Sequence, residues 1–172
     1  LHNKEYLDDN IHIWYRGKEG RNMEKLRKFS SWSADALYNR FLVDADSSFL
    51  IDMLPDLDHD YMVWEYMRRL PEGLFWQYDV RDGMEESISG GRHEKNARPT
   101  INSYMYGNAK ALNKLAHIAG REKLAQKYAA KADTLKFLIQ KNLWNPASNF
   151  FEVLKYDGGL AGVREAIGLI PW

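Results

Sequence analysis

The chain contains no cysteine. That absence excludes disulfide scaffolds, cysteine zinc sites and thiol catalysis, and it leaves the compartment open. Charge of one sign is also missing. Twenty-four basic residues balance twenty-four acidic ones, and the pI is near 7.2. A nucleic-acid binder or a polybasic membrane binder would show a basic surplus. No run of about 18 apolar residues occurs, so no transmembrane helix is expected. The five His (His2, His12, His59, His93 and His117) are scattered, with no pair at ligand spacing. The carboxylates of 79–86 lack the spacing of an EF-hand, so neither metal nor cofactor is expected. Neither a phosphate-cradling Gly-rich loop nor a Gly-x-Ser-x-Gly elbow is present.

What the chain does have is apolar content. Of its 172 residues 45% are hydrophobic and 13% aromatic, with six Trp. Balanced charge with this much apolar surface excludes intrinsic disorder. The length suits one domain, burying roughly 70% of its unfolded surface. Trp and Tyr pair an apolar face with a polar tip, which suits cores, interfaces and sugar-binding clefts alike.

Periodicity predicts helices. A first helix spans 2–16 and is broken by Gly17 and Gly20, and a polar loop follows over 21–31. Ser33 is the expected N-cap of a second helix, with Asp35 in its first turn and Ala34, Leu37, Tyr38, Phe41 and Leu42 at helical spacing. A third helix carries Phe49, Leu50, Met53, Leu54, Leu57, Tyr61, Trp64 and Met67, kinked or restarted at Pro55 and stopped by Pro71 and Gly73. Residues 72–97 form a long connection with little period, and such a connection in a helical domain is usually functional. Pro99 opens a fourth helix that Gly120 closes. A fifth runs to Asn145-Pro146. Phe150–Tyr156 reads as a short strand with a return near 160–163.

The pattern is two α-hairpins, 33–69 and 99–143, joined by the long loop. The predicted fold is all-α, helical hairpins forming part of an (α/α)6 toroid, with a short β-hairpin excursion near 150–163. Two hairpins cannot close a ring. The chain also begins at Leu1 and ends on Ile170-Pro171-Trp172. The expectation is that residues 1–172 are one partial barrel domain, with the rest of the barrel in a longer parent chain.

In such an array the loops before alternate helices share one rim. Three loops qualify: Phe29–Asp35, Trp76–Ser87 continuing to Arg98 and Asn102, and Arg164–Trp172. The second holds Asp79, Asp82, Glu85 and Glu86 beside Trp76, Tyr78 and Arg81. Crowded carboxylates raise one another's pKa, and an apolar wall does the same. A protonated carboxylic acid is what glycoside hydrolysis needs at the leaving oxygen. The bland reading is a solvated acidic loop with Arg81 and Arg92 as ion partners.

The stretch 73–102 resembles a known family. Gly73-Leu-Phe-Trp76 followed by Asp82-Gly-Met-Glu85-Glu86-Ser87 looks like the acid-bearing segment of inverting (α/α)6-barrel glycosidases. These are trehalase, mannosyl-oligosaccharide glucosidase and the mannosylglycerate-hydrolase-like enzymes. Thr100-Ile-Asn102-Ser-Tyr-Met-Tyr106, Leu143-Trp144-Asn145 with Phe150-Phe151, and Arg164–Trp172 resemble further segments of that family in the same order. The resemblance covers about residues 30–172. It implies that Glu85 is the general acid, with Glu where better-known relatives have Asp, and Asp82 is the substitute candidate. It implies sugar contacts for Arg98 and Asn102, and pocket positions for Trp32, Asp35, Trp76 and Arg92. Glu165 is a substrate-contact or structural candidate, and Trp172 is a further substrate-contact candidate. No residue matches the family's general base.

The implied activity is inverting hydrolysis of a glycosidic bond in an oligo- or polysaccharide. The acid and Asp82 are expected to open onto one concave surface with Trp32 and Trp172. The alternative is a non-catalytic α-helical carbohydrate-binding or scaffold module. A barrel epimerase or lyase would want a His or Tyr base in the rim loops, where only His93 stands.

Overall fold

The computed structural model describes residues 31–82, 87–91 and 93–172. The predicted first helix, Glu85 and Arg92 lie outside the described residues. Among the described residues four long helices form two pairs: α1 (Ser33–Asp44) with α2 (Ser47–Arg68), and α3 (Pro99–Ile118) with α4 (Glu122–Asn142). Four two-residue strands accompany them: β1 (Trp76–Gln77), β2 (Asn96–Ala97), β3 (Trp144–Asn145) and β4 (Phe150–Phe151). Single 3-10 turns form at Asp79–Arg81 and Ala166–Leu169.

Local chemistry sets the helix ends. Ala45 takes a left-handed φ of 56° and its N–H donates to Phe41 O at 2.8 Å, ending α1. Asp46 then caps α2, accepting from the N–H groups of Ser48 and Phe49 at 3.1 and 3.3 Å. Pro99 stands at the start of α3, where its missing N–H costs nothing. Gly120, at φ +67°, lets the chain turn from α3 into α4. Pro55 neither breaks nor restarts α2, which runs through it unbroken. The carbonyl that Pro55 deprives of a donor belongs to Ile51, and both residues are exposed, so water can serve it.

The N-terminus of α1 departs from expectation. Ser33 is the first helical residue and not the cap. Trp32 occupies the cap position without a side-chain bond, and Asn108 of α3 does the capping instead. Its Oδ1 accepts from Ala34 N and Asp35 N at 3.1 and 3.4 Å, and its Nδ2 donates to Ser31 O at 2.7 Å. One asparagine therefore satisfies orphan groups of a neighbouring helix and fixes where α1 begins relative to α3.

Helix α3 is the centre. It packs on α1, α2 and α4, and Ile101, Met105, Ala109, Leu112, Leu115 and Ala116 on it are buried. The buried alanines leave room for close neighbours. Leu50, Met53, Leu54, Leu57, Tyr61 and Trp64 of α2, and Tyr128, Ala132, Leu135 and Ile139 of α4, complete the core. Tyr61 meets Tyr128 and Phe75 edge-on, at 5.1 and 6.4 Å between centroids. Helices α1 and α3 form one layer and α2 and α4 the other, the arrangement of an arc of an α/α toroid.

The connection 72–97 contains short strands that its sequence does not suggest. β1 and β2 pair antiparallel, with Trp76 opposite Ala97 and Gln77 opposite Asn96. The β excursion also begins earlier than predicted: Phe150–Phe151 pairs back onto Trp144–Asn145, and Leu154 then bridges Leu160. Ala97 and Leu154 exchange backbone hydrogen bonds at 2.9 and 3.0 Å, which joins the two ribbons. The β1–β2 ribbon and the ribbon around Leu154 are thereby gathered at the N-terminal end of α3.

Candidate active site

Arg98 is the residue around which this corner is built. Its side chain is fully buried, and its Nε donates to Asp82 Oδ2 at 2.5 Å. Thr100, two residues on, donates its hydroxyl to the same oxygen at 2.5 Å. The Nη2 of Arg98 donates to Ser87 Oγ at 3.3 Å. Backbone constraints hold the arginine still. Pro99 restricts it to the extended region, and Asn102 Nδ2 donates to its carbonyl at 2.8 Å. Gly90 lets the main chain pass beside the guanidinium, since a Cβ there would lie 2.6 Å from Nη1.

Ser87 continues the chain of contacts to Glu165. The Glu165 carboxylate accepts from Ile88 N at 2.7 Å, from Ser87 Oγ at 3.1 Å, and from Ser89 Oγ. Desolvation pushes its pKa up. The bonds from Ser89, Ile88 and Ser87, with the Arg98 charge, outweigh that and hold it below the ordinary carboxylate range. Glu165 is thus an ionised anchor between the second and third loops.

The first loop meets α3 one turn further along. Trp32 packs on Tyr104 with ring centroids 4.9 Å apart, and Trp32 remains half exposed. Asp35 lies beside Gly107, where an added Cβ would sit 3.9 Å from its side chain. The Tyr104 phenol is pushed up, first by burial and then by the Asp82 charge, so it stays a hydroxyl donor. Thr100, Tyr104 and Gly107 fall on one stripe of α3, with Asp82 near its start and Trp32 and Asp35 along it.

Other predicted residues land elsewhere. Asp82 turns inward onto Arg98 and Thr100 and does not open onto a shared concave surface. Trp76 is buried, and the Arg68 guanidinium and Lys95 ammonium sit on its ring at 4.1 and 4.9 Å from the centroid. Its ring is a cation-covered structural element and not a wall for sugar. Asn102 is also spent internally. It accepts from Phe75 N at 2.7 Å and donates to Phe75 O at 2.8 Å, clipping β1 to α3. Trp172 is exposed and packs edge-on against Trp144 and Phe151, at 5.5 and 5.8 Å. That places it on the β3–β4 ribbon. Sequence reading missed Thr100, Tyr104, Asn108, Ser87 and Ser89. Thr100 and Tyr104 were open to discovery, since their i, i+4 spacing marks one helix face.

Among the described residues no three His, Asp or Glu side chains are grouped to hold a metal. Among them, too, no helix is long and apolar enough to cross a membrane.

Two stacked α-hairpins packed around the central helix have the architecture of an α/α toroid. The comparison with known families is narrower. Residues 1–172 match the mannosylglycerate hydrolase MGH1-like glycoside hydrolase domain over their whole length, and the chain belongs to that family. No curated protein matches it significantly. Among solved structures, a protein titled "Sialidase" is 56% identical with a TM-score of 0.87. That match covers 100% of this chain and 16% of the other, so the chain spans about a sixth of that relative's length.

Proposed function

We propose that this chain carries the general-acid side of an inverting glycosidase site, with Glu85 as the acid and a sugar seated beside Tyr104 and Gly107 of α3. The observation that carries the reading is the joint attachment of Asp82 and Ser87 to Arg98. These two residues bound the segment 83–86, and Glu85 stands three positions from one and two from the other. The flanks of the segment that carries Glu85 are thus both bonded at the corner around Arg98.

Asp82 is the weaker acid candidate, because its side chain is buried and already bonded to Arg98 and Thr100, away from any glycosidic oxygen. Glu85 protonates the glycosidic oxygen as the bond breaks. A base outside residues 1–172 activates water on the opposite face of the sugar, with the carboxyl groups about 6.5–9.5 Å apart. Trp32 and Tyr104 offer an aromatic face and a hydroxyl donor to the sugar. Asp35 offers an acceptor for its hydroxyls.

The test uses the longer parent protein and a panel of aryl glycosides, with aryl sialosides included because of the relative's title. Glu85→Gln is expected to lower kcat by about 10²–10⁴-fold on poor leaving groups. Dinitrophenyl glycosides, whose leaving group needs no proton, should recover most of that loss. Unchanged hydrolysis in Glu85→Gln overturns the acid assignment. Glycan binding without hydrolysis in the wild type points instead to a binding module.

A further inference from the structure

We propose that Arg98 and Glu165 are positioning residues for the acid-bearing segment and not contacts to the sugar. Arg98 ties both flanks of residues 83–86 to the start of α3. Glu165 ties the downstream flank to the segment before the 166–169 turn. The proposal rests on the reading of Glu85 as the acid.

Geometry distinguishes this from substrate contact. Both flanks reach one guanidinium: Asp82 by Nε at 2.5 Å and Ser87 by Nη2 at 3.3 Å. The Arg98 side chain is entirely buried, so a sugar ring has no access to it. Ser87, Ile88 and Ser89 all donate to Glu165, which takes up the hydrogen-bonding capacity a sugar hydroxyl would need.

Energetics point the same way. Burying an ion pair is poor evidence of stabilisation, because desolvation cancels much of the attraction. Here Asp82 Oδ1 and Arg98 Nη1 are also buried without a hydrogen-bond partner. An apolar pair of similar volume would be the cheaper core. What the ion pair adds is direction: a planar fork accepts partners only at fixed angles. Two flanks on one fork set the ends of the segment between them. Glu165 extends that geometry to the ribbon of 150–160, whose Leu154 is bonded to Ala97, the residue before Arg98.

The experiment measures hydrogen exchange and kinetics in the parent protein for Arg98→Lys, Ser87→Ala and Glu165→Gln. Exchange across 87–91 should quicken by roughly five- to tenfold, the scale of one lost hydrogen bond, with α4 unchanged. On 4-nitrophenyl glycosides kcat should fall with KM nearly constant, and dinitrophenyl glycosides should restore it. Unchanged exchange in both Ser87→Ala and Glu165→Gln overturns the proposal, and so does exchange that rises equally across the chain. A raised KM at constant kcat also overturns it, because that is the mark of a sugar contact. Should Arg98→Lys fail to fold, the other two variants decide. Inactivity or full activity of Glu85→Gln bears on the acid assignment alone, since the exchange result does not depend on it.

Discussion

The seam between α2 and α4 and the corner around Arg98 use the same kinds of side chain in opposite surroundings. At the seam Lys127 pairs with Asp58 at 3.0 Å and Lys131 with Glu65 at 2.5 Å, and the four side chains are 18–38% exposed. At the corner Arg98 pairs with Asp82 at 2.5 Å, and both side chains are 0% exposed. The seam is further lined by Tyr61, Arg69, Phe75 and Thr134 around a groove of about 160 Å³. Water reaches its charges and screens them, so each pair contributes little and loses little when broken. Nothing screens the corner. Removal of one partner there leaves a charge in a place that cannot solvate it. The seam keeps two outer helices in register; the corner fixes the ends of one short segment.

The largest expected effect is therefore at Arg98. Arg98→Met should cost about 3–5 kcal/mol in urea unfolding, because the Asp82 carboxylate is left buried with no cation beside it and only the Thr100 hydroxyl bonded to it. Adding Asp82→Leu to that variant should recover most of the loss. A double variant no more stable than the single one would erase the contrast between corner and seam.

Gly90→Ala comes next. The new methyl would meet Arg98 Nη1 at 2.6 Å and Asp79 Cβ at 3.2 Å. A guanidinium free in solvent would swing aside, but this one is held by Asp82 and Ser87. The expected cost is about 1–3 kcal/mol, the range for overpacking. A thermal midpoint equal to wild type would show that Arg98 can move after all.

The comparison also explains what the sequence could and could not reveal. The α2 stripe from Leu50 to Trp64 is legible because apolar residues must repeat at helical spacing to reach the core. Strands of two residues have no period, so β1 and β2 were invisible in 72–97. The Asn108 cap joins residues 74 positions apart, and capping rules see only neighbours. The meeting of the second and third loops at Glu165 was legible in outline, since hairpin arrays put alternate loops on one rim. Trp76 was misjudged for a physical reason. A tryptophan that faces sugar and one that is covered by Arg68 and Lys95 have the same composition, and only burial tells them apart. Asn102 and Arg98 were likewise assigned outward when their partners, Phe75, Asp82 and Ser87, lie inside.

At the seam, Lys127→Ala should change stability by no more than about 1 kcal/mol. The Tyr128 hydroxyl still donates to Asp58 at 2.5 Å in that variant, so the carboxylate keeps a partner. The small loss should vanish in high salt, where wild type and variant unfold together. A salt-independent loss larger than that of Gly90→Ala would place a corner-like pair at the seam.

Smallest is the effect of pH at Glu165, which lies between the two extremes because its carboxylate is half-buried. Its folded pKa is held below the ordinary value of 4.5. A depressed carboxylate contributes stability that is complete above the unfolded pKa and is lost as pH falls through the folded one. Wild type should therefore lose ground to Glu165→Gln as pH drops below about 4.5. Above that window the difference between them should be constant. Protonation removes one acceptor from Ser87, Ile88 and Ser89, so the loss should fall on the downstream flank. Unfolding midpoints of the two proteins, measured from neutral pH down to about pH 3, will show parallel curves if Glu165 is already as solvated as the seam. Convergence of the curves below that window is the outcome expected of an anchor held by the loop it binds.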